Sequence, residues 1–369
     1  MIQRCVLNVV NVQTIAPAVA GTKRLGLKKK LNRKIEREKE GEMNHRRLWI
    51  IIIVLAIVIF LAIGLALWLM KFQSNETAPS PAISQKIEAW VKNSTKLFEN
   101  VTSTDTLKID DGTFRMYFQK DGKIVYADSK DAATFSDPAS TGIDENPGKF
   151  NSNPTVLKIK ENDWIMIYEE QPQLPPGAEK GPGPGTQRNL LLATSEDGKT
   201  FTKAGIAIDS SKEDQYFASV PKLIKLPGSK IRMYYVSEGD KIASAISDDG
   251  KTWTREKGFR LEDSAVDPDP ILKVCCGGTQ NWVMYFATLE GNNNKFYKAT
   301  SKDGINWQRG EIVLRPNSEK GAIVDPDVVE IAANKWRMFF GEMAEGEGQM
   351  GGSAQIDLYY ADFEGDIFE

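Results

Sequence analysis

The sequence predicts an all-β fold: a five-bladed β-propeller of four-stranded antiparallel blades, preceded by one transmembrane helix. Three observations predict it. An apolar strand built around a Met recurs five times, a short Ser-x-Asp turn, Asp-Gly in three cases, follows four of those strands, and an uncharged run of 23 residues, Leu48 to Met70, lies near the N-terminus.

At 1.5 Å rise per residue, the Leu48–Met70 run is long enough to span a hydrocarbon core of about 30 Å. Trp49 and Trp68 lie near its ends, where amphipathic rings favour the membrane interface. Arg46 and Arg47 precede it, and only Lys71 follows closely, which predicts a single-pass signal-anchor with a cytoplasmic N-terminus. The large domain is then extracellular, displayed from the cell membrane. Residues 1–47 form a basic cytoplasmic tail. Of these, 1–42 are either a segment that touches anionic lipid or an over-extended gene start, because Met43 opens a complete signal-anchor by itself. Residues 71–100 read as a linker or stalk; within it Ser84 to Glu99 has the spacing of a short helix. The formal net charge of -3 hides this basic tail, so the remainder is acidic and nucleic acid is excluded as its partner. Adjacent Cys275 and Cys276 do not suit a disulfide and read as small semi-buried apolar residues at a strand end.

Residues 101–369 are predicted to form the propeller. The repeated Met residues are 116, 166, 233, 284 and 338, in steps of 50, 67, 51 and 54. The turn that follows reads Ser195-Glu-Asp197-Gly198, Ser247-Asp-Asp249-Gly250 and Ser301-Lys-Asp303-Gly304, with Ser129-Lys-Asp131-Ala132 in the first blade. Asp-Gly between strands is a hairpin signal, and we read these boxes as structural turns. Arg115, Arg232 and Arg337 recur at one repeat position and read as structural too. A third unit opens the blades with proline: Asn153-Pro154, Val220-Pro221, Asp267-Pro268-Asp269 and Asp325-Pro326-Asp327, placed at strand starts where proline removes no ladder donor. In blade 1, Asp105-Thr106 takes that place.

Strand alternation puts the Pro-led starts on one face, with two insertions, Gln171–Gln187 and Glu342–Gly352. Long loops on one face of a scaffold commonly carry binding. Glu169, Glu170, Glu238 and Glu342 fall on the same side, giving an acidic mouth. The only histidine is His45, before the membrane run, so the domain has no Ser-His-Asp triad and no His-ligated metal. The carboxylates suit acid/base work on a glycosidic bond or ligation of Ca²⁺; no other cofactor is implied. The alternative for each Asp-Pro is simple capping of backbone amides in the channel wall.

Five blades, Asp-Pro at inner strands and Asp-Gly-x-x-Trp turns resemble the propellers of glycoside hydrolase family 43 and of the invertase and levansucrase families. The turns are similar to sialidase Asp-boxes, one residue shorter. The resemblance implies carbohydrate as partner and three channel carboxylates from different blades. Carried onto this sequence, Asp267 and Asp325 supply base and orienting carboxylate, and Glu342 or Glu169 the acid; Asp105, Asp269, Asp327 and Glu238 contact substrate. The alternative is a non-catalytic propeller that binds glycan or a protein through its looped face.

Overall fold

The computed structural model describes residues 90–175, 181–289, 293–319, 321–343 and 356–369. The expected span 48–70 lies outside them, and among the described residues no helix is long and apolar enough to cross a membrane.

Five four-stranded antiparallel sheets are arranged as blades. Blade 1 is β2 (Thr102–Lys108), β3 (Phe114–Lys120), β4 (Lys123–Ser129) and β5 (Ala139–Asp144). Blade 2 is β6 (Lys149–Lys160), β7 (Asp163–Pro172), β8 (Asn189–Ser195) and β9 (Thr202–Ile208). Blade 3 is β10 (Ala218–Lys225), β11 (Ile231–Ser237), β12 (Lys241–Ser247) and β13 (Thr254–Arg255). Blade 4 is β14 (Ala265–Val274), β15 (Gln280–Thr288), β16 (Phe296–Ser301) and β17 (Trp307–Leu314). Blade 5 holds β18 (Ala322–Ala332), β19 (Lys335–Met343) and β20 (Ile356–Glu364), and its outer strand is β1 (Val91–Phe98).

That last strand corrects the expected helix at Ser84 to Glu99. Val91 to Asn93 pair with Asp362 to Tyr360 of β20, so the N-terminal segment completes the last blade. The apolar residues that suggested a helical face anchor the two ends of the strand instead. Trp90 meets Tyr285 of blade 4 edge-on at 5.5 Å, and Phe98 meets Phe118 of blade 1 at 4.9 Å. The ring is thus closed by chain ends from opposite termini, which protects an edge that would otherwise be open.

The five Met residues of the second strands are all fully buried, between the sheets of adjacent blades. The turn boxes dock one blade on the next. In each box the Asp carboxylate accepts from two backbone amides, as Asp197 does from Lys199 and Thr200 at 2.7 and 2.8 Å. Such bonds hold Asp131 at about 2. The carbonyl of Gly198 accepts from Tyr117 of blade 1, and that of Gly304 from Tyr234 of blade 3, both at 2.6 Å. The recurring arginines serve the same joint: Arg115 and Arg337 clamp Asp128 and Asp362 in their own blades, and their Nη1 atoms donate to Gly198 and Ala132 of the next. Cys275 is exposed in the turn between β14 and β15, not semi-buried, because Gly277 and Gly278 in left-handed conformation carry the chain away from the sheet.

Gly198 has φ +67°, and a Cβ there would lie 2.9 Å from the Trp164 ring. Gly198→Ala is expected to cost about 1–3 kcal/mol, read from denaturant midpoints. Gly112→Ala, equally left-handed but with nothing within 4 Å, should cost clearly less.

Candidate functional site

The proline-led segments are not strand starts. Each innermost strand begins one to four residues earlier, and the segment forms a bulge inside it. The residue at the bulge is left-handed in all five blades: φ is 57° at Ser103, 51° at Asn153, 45° at Val220, 53° at Asp267 and 55° at Asp325. Proline is tolerated next to it because the bulge leaves ladder positions unpaired. The equivalent of Asp-Pro in blade 1 is therefore Ser103-Thr104, and Asp105 belongs two residues on, level with Thr155, Lys222, Asp269 and Asp327.

Two rings of side chains result. The deeper ring ties neighbouring blades together. Asp105 accepts from the amide of Val156 at 2.7 Å, Thr155 from that of Leu223 at 3.1 Å, and Asp269 from that of Val328 at 2.8 Å. Asp327 accepts from the amide of Thr106 at 3.2 Å and from its hydroxyl at 2.6 Å. One joint differs: blade 3 offers Lys222, which cannot accept, and blade 4 offers Pro270, which has no amide proton to give. Freed from the ring, the Lys222 ammonium lies 2.8 Å from Asp105, 3.2 Å from Asp269 and 3.0 Å from Asp327. Burial pulls this ammonium down, but the three carboxylates outweigh it and hold it well above its ordinary value. Burial raises Asp105, and raises Asp269 to about 7, each opposed by Lys222.

The upper ring forms the mouth. Asp267 Oδ2 accepts from the amide of Asp325 at 3.3 Å, and Asp325 Oδ2 accepts from the amide and hydroxyl of Ser103 at 3.1 and 2.9 Å. Among the described residues no group donates to Oδ1 of either aspartate. Burial, then the negative charges of Asp325 and Glu169, push Asp267 well above the carboxylate range. Burial lifts Asp325 to about 6, against the bonds from Ser103. Both carboxylates line a small cavity with Ser103, Thr104, Asn153 and Lys222; its free volume is about 20 Å³, room for one water.

Glu169, fully buried within β7, stands beside this mouth. Arg188 donates to its Oε1 at 3.0 Å, while Asn153 and Ser219 donate to Oε2. All its partners are donors, which suits an anion. Arg188 is itself seated on the Phe217 ring at 4.5 Å. The expected residues therefore divide. Asp267, Asp325 and Glu169 converge from three blades at the mouth, and Asp105, Asp269 and Asp327 meet beneath it around Lys222. Glu342 is elsewhere, held by Lys92 of β1 at 3.2 Å and by Asn317, and Glu238 pairs with Lys241 in its own hairpin at 2.6 Å.

Both insertions join second to third strands, and Pro182 of the first packs against Gly239 of blade 3. Among the described residues no group of three or more ligand side chains is arranged for a metal ion. Where three carboxylates do meet, an ammonium already fills the centre, so the residues do not fit Ca²⁺ there. Lys222 was legible in the repeat, since Val220-Pro221-Lys222 aligns with Asp267-Pro268-Asp269; Arg188, between an insertion and β8, carried no signal.

No family model matches the chain, and no curated protein matches it in sequence. Solved structures do. A GH43 β-1,3-galactosidase superposes with a TM-score of 0.56 at 13% identity, over 74% of this chain and 60% of its own. A GH32 β-fructofuranosidase of Bombyx mori gives 0.52 at 12%, over 73% and 61%. An endo-arabinase of Bacteroides thetaiotaomicron gives 0.51 at 14%, over 76% and 98%. This is the fold of the family 43 and family 32 glycosidase propellers. The chain thus spans about three fifths of the length of the first two.

Lys222→Met leaves three buried carboxylates without their cation and is expected to cost about 3–5 kcal/mol in chemical denaturation. Stability should also fall as pH rises. The folded chain keeps on Asp325 a proton that an unfolded carboxylate loses near about 4, so this contribution is full below about 4 and is lost as pH rises through about 6. Denaturant midpoints at about pH 4.5 and 7 measure the slope, which Asp325→Asn should flatten.

Proposed function

We propose that this chain is a glycosidase-like propeller, anchored through residues 48–70 and presenting its looped face outside the cell, that cleaves poly- or oligosaccharide at Asp267 and Asp325. The observation that carries this reading is the charge arrangement at the mouth. Two carboxyls of neighbouring blades each keep one oxygen free toward the same cavity, and their environments separate their protonation.

Asp267, which burial pushes well above the carboxylate range, gives its proton to the glycosidic oxygen as the bond to the anomeric carbon breaks. Asp325, ionised above about 6, takes a proton from the water that attacks that carbon. The cavity has room for one water, which an inverting displacement uses, and the sugar lies across the mouth rather than inside it. Burial, then the negative charges of Asp325 and Glu169, keep the proton on Asp267, and Arg188, Asn153 and Ser219 hold Glu169 in place by donating to it. Glu342, tied to Lys92, takes no part.

A second reading, a non-catalytic propeller that holds glycan, is supported by one observation: Oδ2 of both aspartates is already used by the neighbouring blade. The purified full-length chain should release sugar from at least one of arabinan, xylan, fructan or aryl-glycosides, with a rate that rises as Asp325 ionises. Asp267→Asn and Asp325→Asn should each lower it at least about 100-fold. Turnover untouched by both substitutions would refute the site. Glycan binding with no turnover in the unmodified chain would select the second reading.

A further inference from the structure

The second position of the bulge is proline in four blades, at Pro154, Pro221, Pro268 and Pro326, and threonine in the first, at Thr104. All five residues line the mouth cavity. Thr104 is 6% exposed, and its hydroxyl has no hydrogen-bond partner. A buried hydroxyl without a partner typically costs about 1–3 kcal/mol, so its presence where the repeat otherwise places proline calls for a use.

The polar inventory of the cavity shows what that use is. Asp267 and Asp325 each keep one oxygen without a partner at the cavity; on Asp325 it is an acceptor once the carboxyl is ionised, and on Asp267 it carries the acid proton. The donors around them are spent. The Lys222 ammonium, with three protons to give, is shared among three carboxylates below. The Asn153 amide donates to Glu169 and Ser152. The Ser103 hydroxyl donates to Asp325. Among the described lining side chains, the Thr104 hydroxyl is the one donor left to give besides the proton on Asp267, which the proposed reaction uses.

We infer that Thr104 is a ligand-recognition residue of this mouth, which donates to a hydroxyl oxygen of a bound sugar while a neighbouring hydroxyl of the same sugar donates to Asp325. The ligand class is a vicinal diol: each hydroxyl both accepts and donates, so one pair satisfies the Thr104 donor and the Asp325 acceptor together. This assignment rests on the carbohydrate reading given above, with Thr104 as a specificity-determining residue that takes no proton in the reaction.

Three forms of the full-length chain test it: unmodified, Thr104→Val, which keeps the shape and removes the hydroxyl, and Thr104→Ser, which restores it. Because the buried hydroxyl bonds to nothing in the protein, Thr104→Val should raise the melting temperature rather than lower it. Its affinity for oligosaccharides of arabinan, xylan or fructan should fall about tenfold or more, with Thr104→Ser within about threefold of the unmodified chain. Equal affinity in the Val form overturns the inference and leaves the proposed function standing. If none of these glycans binds, crystals of the full-length chain in concentrated glycerol, the smallest vicinal diol, decide separately. A glycerol bridging Thr104 and Asp325 and absent from the Val form supports the inference while the glycosidase reading fails. An adventitious additive only, bound alike in both forms, or a Thr104 hydroxyl turned onto a protein acceptor, overturns it.

Discussion

The inner strands of this propeller are held to one another by the side chain two residues past each left-handed bulge, and the rest of the channel depends on how that joint is made. Four blades reach across to the next with an oxygen that accepts a backbone proton. The fifth joint has neither partner, since Lys222 has no acceptor and Pro270 no donor. The exchange is complementary: a proline that asks for nothing frees a lysine to cross the axis. There its ammonium balances Asp105, Asp269 and Asp327, which would otherwise be buried anions with only amides and the Thr106 hydroxyl for company. Removing one partner of such a cluster is strongly destabilising, because the remaining charges cannot regain water.

That floor explains why the same residue type has two roles one layer apart. Asp269 and Asp327 are committed to the joint and to Lys222. Asp267 and Asp325, two residues earlier, are tied to the next blade by one oxygen and open to the mouth by the other. Burial raises both, and the charge of Asp325 raises Asp267 further, so that Asp267 lies well above the carboxylate range while Asp325 titrates at about 6. The likeness to family 43 and family 32 propellers concerns the scaffold; the chemistry is argued from these side chains alone.

Much of the scaffold was legible in the sequence. The Met-centred strands and the Ser-x-Asp turns repeat with a period that only a blade explains, and both insertions fall where strand alternation places them. Three things were hidden. Trp90, Leu97 and Phe98 have the spacing of a helical face, yet they pin the two ends of a strand, because only the ring as a whole shows that blade 5 lacks its outer edge. The bulge was invisible because proline reads equally well as a strand start, and this displaced Asp105 by two positions. Glu342 looked equivalent to Glu169 at the end of a second strand, but Lys92, brought in by β1 from far away in sequence, claims it. Long-range pairing of this kind leaves no local trace.

The account stands on the unequal charge of the two mouth carboxyls, and carboxyl-carbon NMR across pH, with the two resonances assigned through Asp267→Asn and Asp325→Asn, reads it without any substrate. Asp325 should titrate at about 6, and Asp267 should still hold its proton there. Two carboxyls that both ionise near about 4, as in an unstructured chain, would contradict the account.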